Sequence, residues 1–152
     1  MTLFPLTYRI ERMKTEKFNL EKFVNVLKPL LLNNTDILFA YLHGSALHQD
    51  DFNDIDIAVY LAREATVNNN PVDFEISLSL QLEKYLHFPI DIKILNFTPL
   101  SFCYHATKGA LIFSINEDAR EEFLCRTWSD YFDFKPISQI FLKEAVVARV
   151  QH

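Results

Sequence analysis

Residues 37–61, ILFAYLHGSALHQDDFNDIDIAVYL, constrain the fold of this chain more than any other stretch. An apolar run, Ile37 to Leu42, is followed by Gly44 and Ser45, then by an eight-residue connection, Ala46 to Asn53. A second apolar run carries Asp54 and Asp56 inside it. Apolar runs of this length bounded by turn residues read as buried strands, about 37–43 and 54–61. Side chains two apart on a strand share a face. Asp54 and Asp56 are therefore expected side by side, with Ile55 and Ile57 turned into a core. Two carboxylates that close raise each other's pKa unless a cation lies between them. A hard divalent cation such as Mg²⁺ prefers carboxylate oxygen and is commonly shared with substrate phosphates.

The 152 residues fit one domain, with a core over about 19–115 and C-terminal helices over about 117–150. Hydrophobic residues make up 49% and charged residues 23%, which argues against a disordered chain. The net charge of -5 argues against direct nucleic-acid binding. An acidic protein that handles an anionic nucleotide needs metal ions to bridge the two. With only 2 glycines, each is expected to have a positional reason. Cys103 and Cys125 fit no metal spacing and read as buried free thiols in a reducing compartment. The first 17 residues lack the apolar segment of a secretory signal. No apolar run approaches the roughly 20 residues needed to span a bilayer. No membrane association and a cytoplasmic location are expected.

Taken in order, residues 1–17 carry little pattern beyond a short strand or arm. Asn19 is expected to cap a helix through about Leu32, with Leu20, Phe23, Val24, Leu27, Leu30 and Leu31 at helical spacing and Pro29 bending or shortening its end. Residues 63–71 read as a loop, ending in the turn chemistry of three asparagines and Pro71. In the next segment Phe74, Ile76, Leu78, Leu80 and Leu82 alternate as in a strand, while Phe74, Leu78, Leu82 and Tyr85 fit a helix. A crossover between neighbouring parallel strands needs a dozen or more residues, usually helical, so a helix over about 72–87 is the reading adopted. A third strand covers about 89–96, with Asp91 and Lys93 on one face. Thr98 is expected to cap a helix that opens on Pro99 and closes before Gly109. A short strand at 110–115 follows, then a helix capped by Asn116 and running to about Phe134. Pro136 is expected to break or restart it, with a last helix to about Val150. The fold class is α/β: a small mixed sheet flanked by helices.

Together these elements place a site. Asp54, Asp56 and Asp91, from adjacent strands, can hold two cations, as two-metal phosphoryl-type chemistry requires. Gly44 lets backbone N–H groups approach a phosphate, and Ser45 can add its hydroxyl and start a short helix. Lys93 is a candidate accessory residue, pairing with Asp91 or contacting phosphate.

On these residues the chain resembles the DNA polymerase β-like nucleotidyltransferase superfamily and its minimal nucleotidyltransferase (MNT) domains. HGSALHQDDFNDIDIAV is similar to the Gly-Ser … Asp-x-Asp signature, PIDIKILNFTPL to the strand with the third carboxylate and its leucine–asparagine turn, and TKGALIF to the glycine and strand that follow. The resemblance implies ATP as substrate, Mg²⁺ as cofactor and nucleotidyl transfer, with Asp54, Asp56 and Asp91 as catalytic metal ligands. Stand-alone MNT proteins often pair with an all-helical HEPN toxin, so the resemblance also implies an antitoxin that transfers AMP to a tyrosine of that partner. The toxin's own Arg-x(4–6)-His pattern is missing here, which places this chain on the MNT side. Two departures stand out: the family usually has nine or ten residues where this chain has the eight of Ala46 to Asn53, and Lys93 sits where many relatives have an acid. These departures favour one alternative, a catalytically weak antitoxin acting by contact. A small-molecule acceptor such as an aminoglycoside is the other.

His43, His48, His87 and His105 show no ligand spacing and read as polar filler, with nucleotide contact the alternative for His43 beside the motif and His48 in the loop; Asp50 and Asp51 read as solvated loop charges. The aromatic residues Phe123, Trp128, Tyr131, Phe132 and Phe134 read mainly as core. Part of the set is a candidate interface for a toxin or a second copy.

Overall fold

The computed structural model describes residues 19–48 and 52–150. The reading of residues 1–17 and that of Asp50 and Asp51 lie outside this range. Helix α1, Leu20–Leu32, opens on Asn19, whose side chain accepts from the Lys22 N–H at 3.2 Å. Pro29 sits within the helix without ending it. Strand β1, Ile37–His43, leads into a single 3-10 turn, Gly44–Leu47. Strand β2 is Ile55–Leu61, helix α2 is Arg63–Asn68 and helix α3 is Pro71–Leu86. Strand β3, Ile90–Ile94, is followed by a 3-10 turn, Leu95–Phe97. Helix α4 is Leu100–Thr107, strand β4 is Ala110–Ser114 and helix α5 is Glu117–Val150. No helix among the described residues is long and apolar enough to cross a membrane.

The four strands form one mixed sheet in the order β3-β2-β1-β4. Strand β1 pairs antiparallel with β2 and β4, while β2 and β3 run parallel. That parallel pair requires the crossover supplied by α2 and α3. One face of the sheet carries Ile57, Val59 and Ile92 into a core with Phe23, Leu27 and Leu31 of α1 and Leu78, Leu82 and Leu86 of α3. The other carries Phe39, Tyr41 and Ala58 into a smaller core with Cys103 and Ala106 of α4 and Phe123 of α5. Gly109 closes α4 against β1, where a Cβ would collide with the Leu42 carbonyl oxygen.

The ambiguous alternation at 74–82 resolves as helix. Residues two apart on an α-helix lie about 200° apart, on opposite sides. Alternation therefore gives α3 a buried stripe, Leu78 and Leu82, and an exposed one, Ile76 and Leu80. Asn70 caps α3 through the N–H groups of Val72 and Asp73, and Pro71 occupies the first turn.

Five local expectations need correction. Cys103 is buried, but Cys125, on α5, is exposed. Residues 63–68 are helical rather than loop, because buried Ala65 anchors one turn to the core. Thr98 does not cap α4: its hydroxyl lies 3.3 Å from the Leu95 carbonyl and 3.1 Å from Cys103 Sγ, and the helix begins after Pro99. Pro136 does not interrupt α5, which continues to Val150 as one helix. A proline costs one i→i−4 bond, and turns on either side carry the helix past it. Asp54 immediately precedes β2 rather than lying inside it. Asn116 caps α5 as expected, accepting from the Ala119 N–H at 3.0 Å.

The α5 aromatics divide. Phe123 is core. Trp128 and Tyr131 close on Tyr104 of α4, with the two tyrosine rings stacked at 3.8 Å. Phe132 and Phe134 remain more than half exposed.

Candidate active site

The site gathers where β1 ends and β2 and β3 begin. In the sheet register His43 lies opposite Asp56, and Asp56 opposite Asp91. Neighbouring strands are about 4.8 Å apart, so Asp56 and Asp91 share one face as near neighbours. Ile55, Ile57, Ile90 and Ile92 fill the opposite face and fix this orientation, since a one-residue slip would bury the carboxylates instead.

Gly44 follows β1 with φ +80, a left-handed conformation that side-chain-bearing residues rarely adopt. A Cβ at this position would run into the Asp56 carboxylate. The glycine is thus required twice, by backbone conformation and by the close approach of Asp56. Ser45 and Ala46 continue the 3-10 turn, whose leading N–H groups have no partner inside the turn. Ala46 and Phe52, at the two ends of the described part of the connection, are both buried, and Phe52 packs against Phe88 at 5.5 Å. Two apolar anchors hold this short connection against the core. The sequence pattern did not single out Phe52, because an isolated phenylalanine among polar residues carries no periodicity.

Electrostatics mark the same place. Burial, followed by the charges of Asp54 and Asp91, pushes the Asp56 carboxyl up to about 6. Asp54 and Asp91 are exposed. Lys93 lies 3.8 Å from Asp91 Oδ1, so it pairs with that carboxylate as the shared strand face predicts. His43, beside the motif in sequence, lies opposite Asp56 in the site. Its ring is edge-on to Phe102 at 5.3 Å, and its Nε2 is buried without a hydrogen-bond partner among the described residues. Burial holds its pKa below the ordinary value, against the opposing charge of Asp91.

This donor set fits a hard divalent cation in its chemistry: carboxylate oxygens that repel one another on one face, beside a glycine that leaves room for them. The set is not closed. Among the described residues, no three His, Cys, Asp or Glu side chains stand together as a ready metal cluster.

The fold agrees with comparisons to known proteins. Residues 25–118, more than half the chain, match the family model described as polymerase beta, nucleotidyltransferase. No curated protein matches the sequence. Among solved structures, a mutant MntA–HpeT toxin–antitoxin superposes with a TM-score of 0.67 at 23% identity, covering 81% of this chain and 98% of that one. A toxin–antitoxin with AMP-PNP gives 0.66 at 22% identity, over 81% and 98%. A tri-AMPylated Shewanella oneidensis HEPN toxin in complex with MNT antitoxin gives 0.63 at 21% identity, over 81% and 95%. At these identities the likeness is one of fold.

Proposed function

This chain belongs to the polymerase beta nucleotidyltransferase family, and from that premise we propose that it is a Mg²⁺-dependent adenylyltransferase that modifies a tyrosine of a HEPN-type toxin and so acts as its antitoxin. The observation that carries this reading is Asp56. It is a half-buried carboxylate set opposite Asp91 and against a left-handed Gly44, with its pKa raised by burial and by two neighbouring aspartates. Raised pKa values from a like-charge cluster are frequent at functional sites. The solved neighbours with an AMPylated toxin and with AMP-PNP support the choice of AMP and of a HEPN partner.

In this reading Asp54, Asp56 and Asp91 hold Mg²⁺, and the backbone at Gly44 with the Ser45 hydroxyl holds the triphosphate of ATP. These carboxylates would hold Mg²⁺, whose charge would offset that of the phosphates and favour pyrophosphate as the leaving group. The acceptor tyrosine oxygen forms a bond to the α-phosphorus. The bond from that phosphorus to the bridging oxygen breaks, and pyrophosphate leaves with the electron pair. Asp91, on the open edge of the carboxylate face, accepts the tyrosine proton.

A second reading, neutralisation by contact alone, draws on the Asp91–Lys93 pair, which engages the third carboxylate with a permanent cation. Co-expression with the HEPN toxin separates the two. The wild type is expected to restore growth, and Asp54→Asn with Asp56→Asn is expected to lose the rescue. Full rescue by the double variant would favour contact over catalysis.

A further inference from the structure

We propose that the outer face of α3 is a two-fold interface through which two copies of this chain associate. The inference does not depend on the catalytic reading. Val72, Ile76 and Leu80 are 58%, 54% and 60% exposed. They lie four residues apart, the spacing of a ridge that packs beside its own copy at about −50° with axes about 8–10 Å apart. Exposed apolar stripes of this kind usually mark contact sites.

The charges name the occupant. Asp73 lies in the first turn of α3 and Lys84 in the last, both exposed and both on the side of Ile76 and Leu80. Neither has an ion-pair partner among the described residues. The two charges are about 16 Å apart along the axis. The apolar pair and the charged pair are both centred on the turn at Leu78. An antiparallel second copy related by a two-fold axis there would set Ile76 against Leu80 and Asp73 against Lys84, each twice. A parallel copy would set like charges together. The outer face of α3 is therefore complementary to itself in one orientation, as an isologous interface requires.

Its position also separates it from the site. Helix α3 covers the sheet face formed by Ile90, Ile92 and Ile94, whereas Asp91 and Asp56 lie on the other face. A dimer through α3 leaves both carboxylate clusters open to a further partner.

Sedimentation velocity of the full chain from about 5 µM to about 1 mM tests the proposal, in the range expected of a small interface. A reversible monomer–dimer equilibrium is expected. Ile76→Lys, at an exposed position, is expected to weaken it at least tenfold with an unchanged circular dichroism spectrum. Lys84→Asp is expected to weaken it similarly, and Asp73→Lys with Lys84→Asp to return it to within threefold of the wild type. Amide exchange over residues 72–84 is expected to slow as the dimer forms. A monomer at every concentration, a dimer indifferent to Ile76→Lys, or a double swap as weak as Lys84→Asp would overturn the proposal. So would exchange protection that appears only on adding a toxin.

Discussion

Replacing Asp56 by asparagine is expected to stabilise the protein while abolishing its chemistry. The carboxyl is pushed up from 3.8 to about 6, first by burial and then by Asp54 and Asp91. Between about pH 4 and pH 6 the folded state therefore holds a proton that the unfolded state has released. Stability falls as pH rises through that window, and the full penalty remains above it. The group is partly exposed, so solvent screening reduces the penalty to about 1 kcal/mol. Asparagine keeps the shape and removes the charge. Asp56→Asn should thus match the wild type near pH 4 and exceed it by about 1 kcal/mol at pH 8, or about 2–4 °C in melting temperature for a chain of this size. Urea unfolding at pH 4, 5, 6 and 8, without added metal, measures the difference. A variant less stable than the wild type at pH 8, or a difference independent of pH, would refute the cluster as a source of strain. Mg²⁺ with a non-hydrolysable ATP analogue should reverse the ranking at pH 8, because only the wild type would gain from binding.

Gly44→Ala should lower stability by about 1–2 kcal/mol from left-handed strain alone, and displacement of Asp56 should cut AMP transfer about 100-fold; melting and initial rates check both. Asn96 bridges the Leu61 backbone in both directions, at 2.9 and 3.1 Å. Asn96→Ala should cost about 2 kcal/mol, at about 1 kcal/mol per hydrogen bond, read by urea unfolding. Glu83 and Glu75 accept from the Ile90 and Ile94 N–H groups on the outer side of β3. Replacing both by alanine uncovers an edge strand and should raise light scattering on heating well beyond either single change.

The sheet and its carboxylate face were legible because strand periodicity and turn residues are local signals. Ile55, Ile57, Ile90 and Ile92 announce their face by alternation alone, and the aspartates follow from it. The helix at 71–86 was legible only through topology, since its alternation fits a strand equally well. Its exposed stripe is what remains once the inner face is buried. Long-range partners were less visible. His43 against Phe102 and Phe52 against Phe88 are contacts between segments far apart in sequence, and neither residue type advertises them. Pro136 misled because a proline penalty is local, whereas the turns flanking it maintain one continuous helix. Lys93 was legible as a neighbour of Asp91 because both lie on one strand face.

The central claim concerns what the carboxylates do together. It is tested most directly by mixing the purified chain with ATP, Mg²⁺ and a HEPN-type partner and measuring the partner's mass. The expected result is addition of AMP, mapped to tyrosine, by the wild type, and none by Asp54→Asn with Asp56→Asn. An unmodified partner with the wild type, or equal modification with the double variant, would contradict the assignment of Asp54, Asp56 and Asp91 as the catalytic centre.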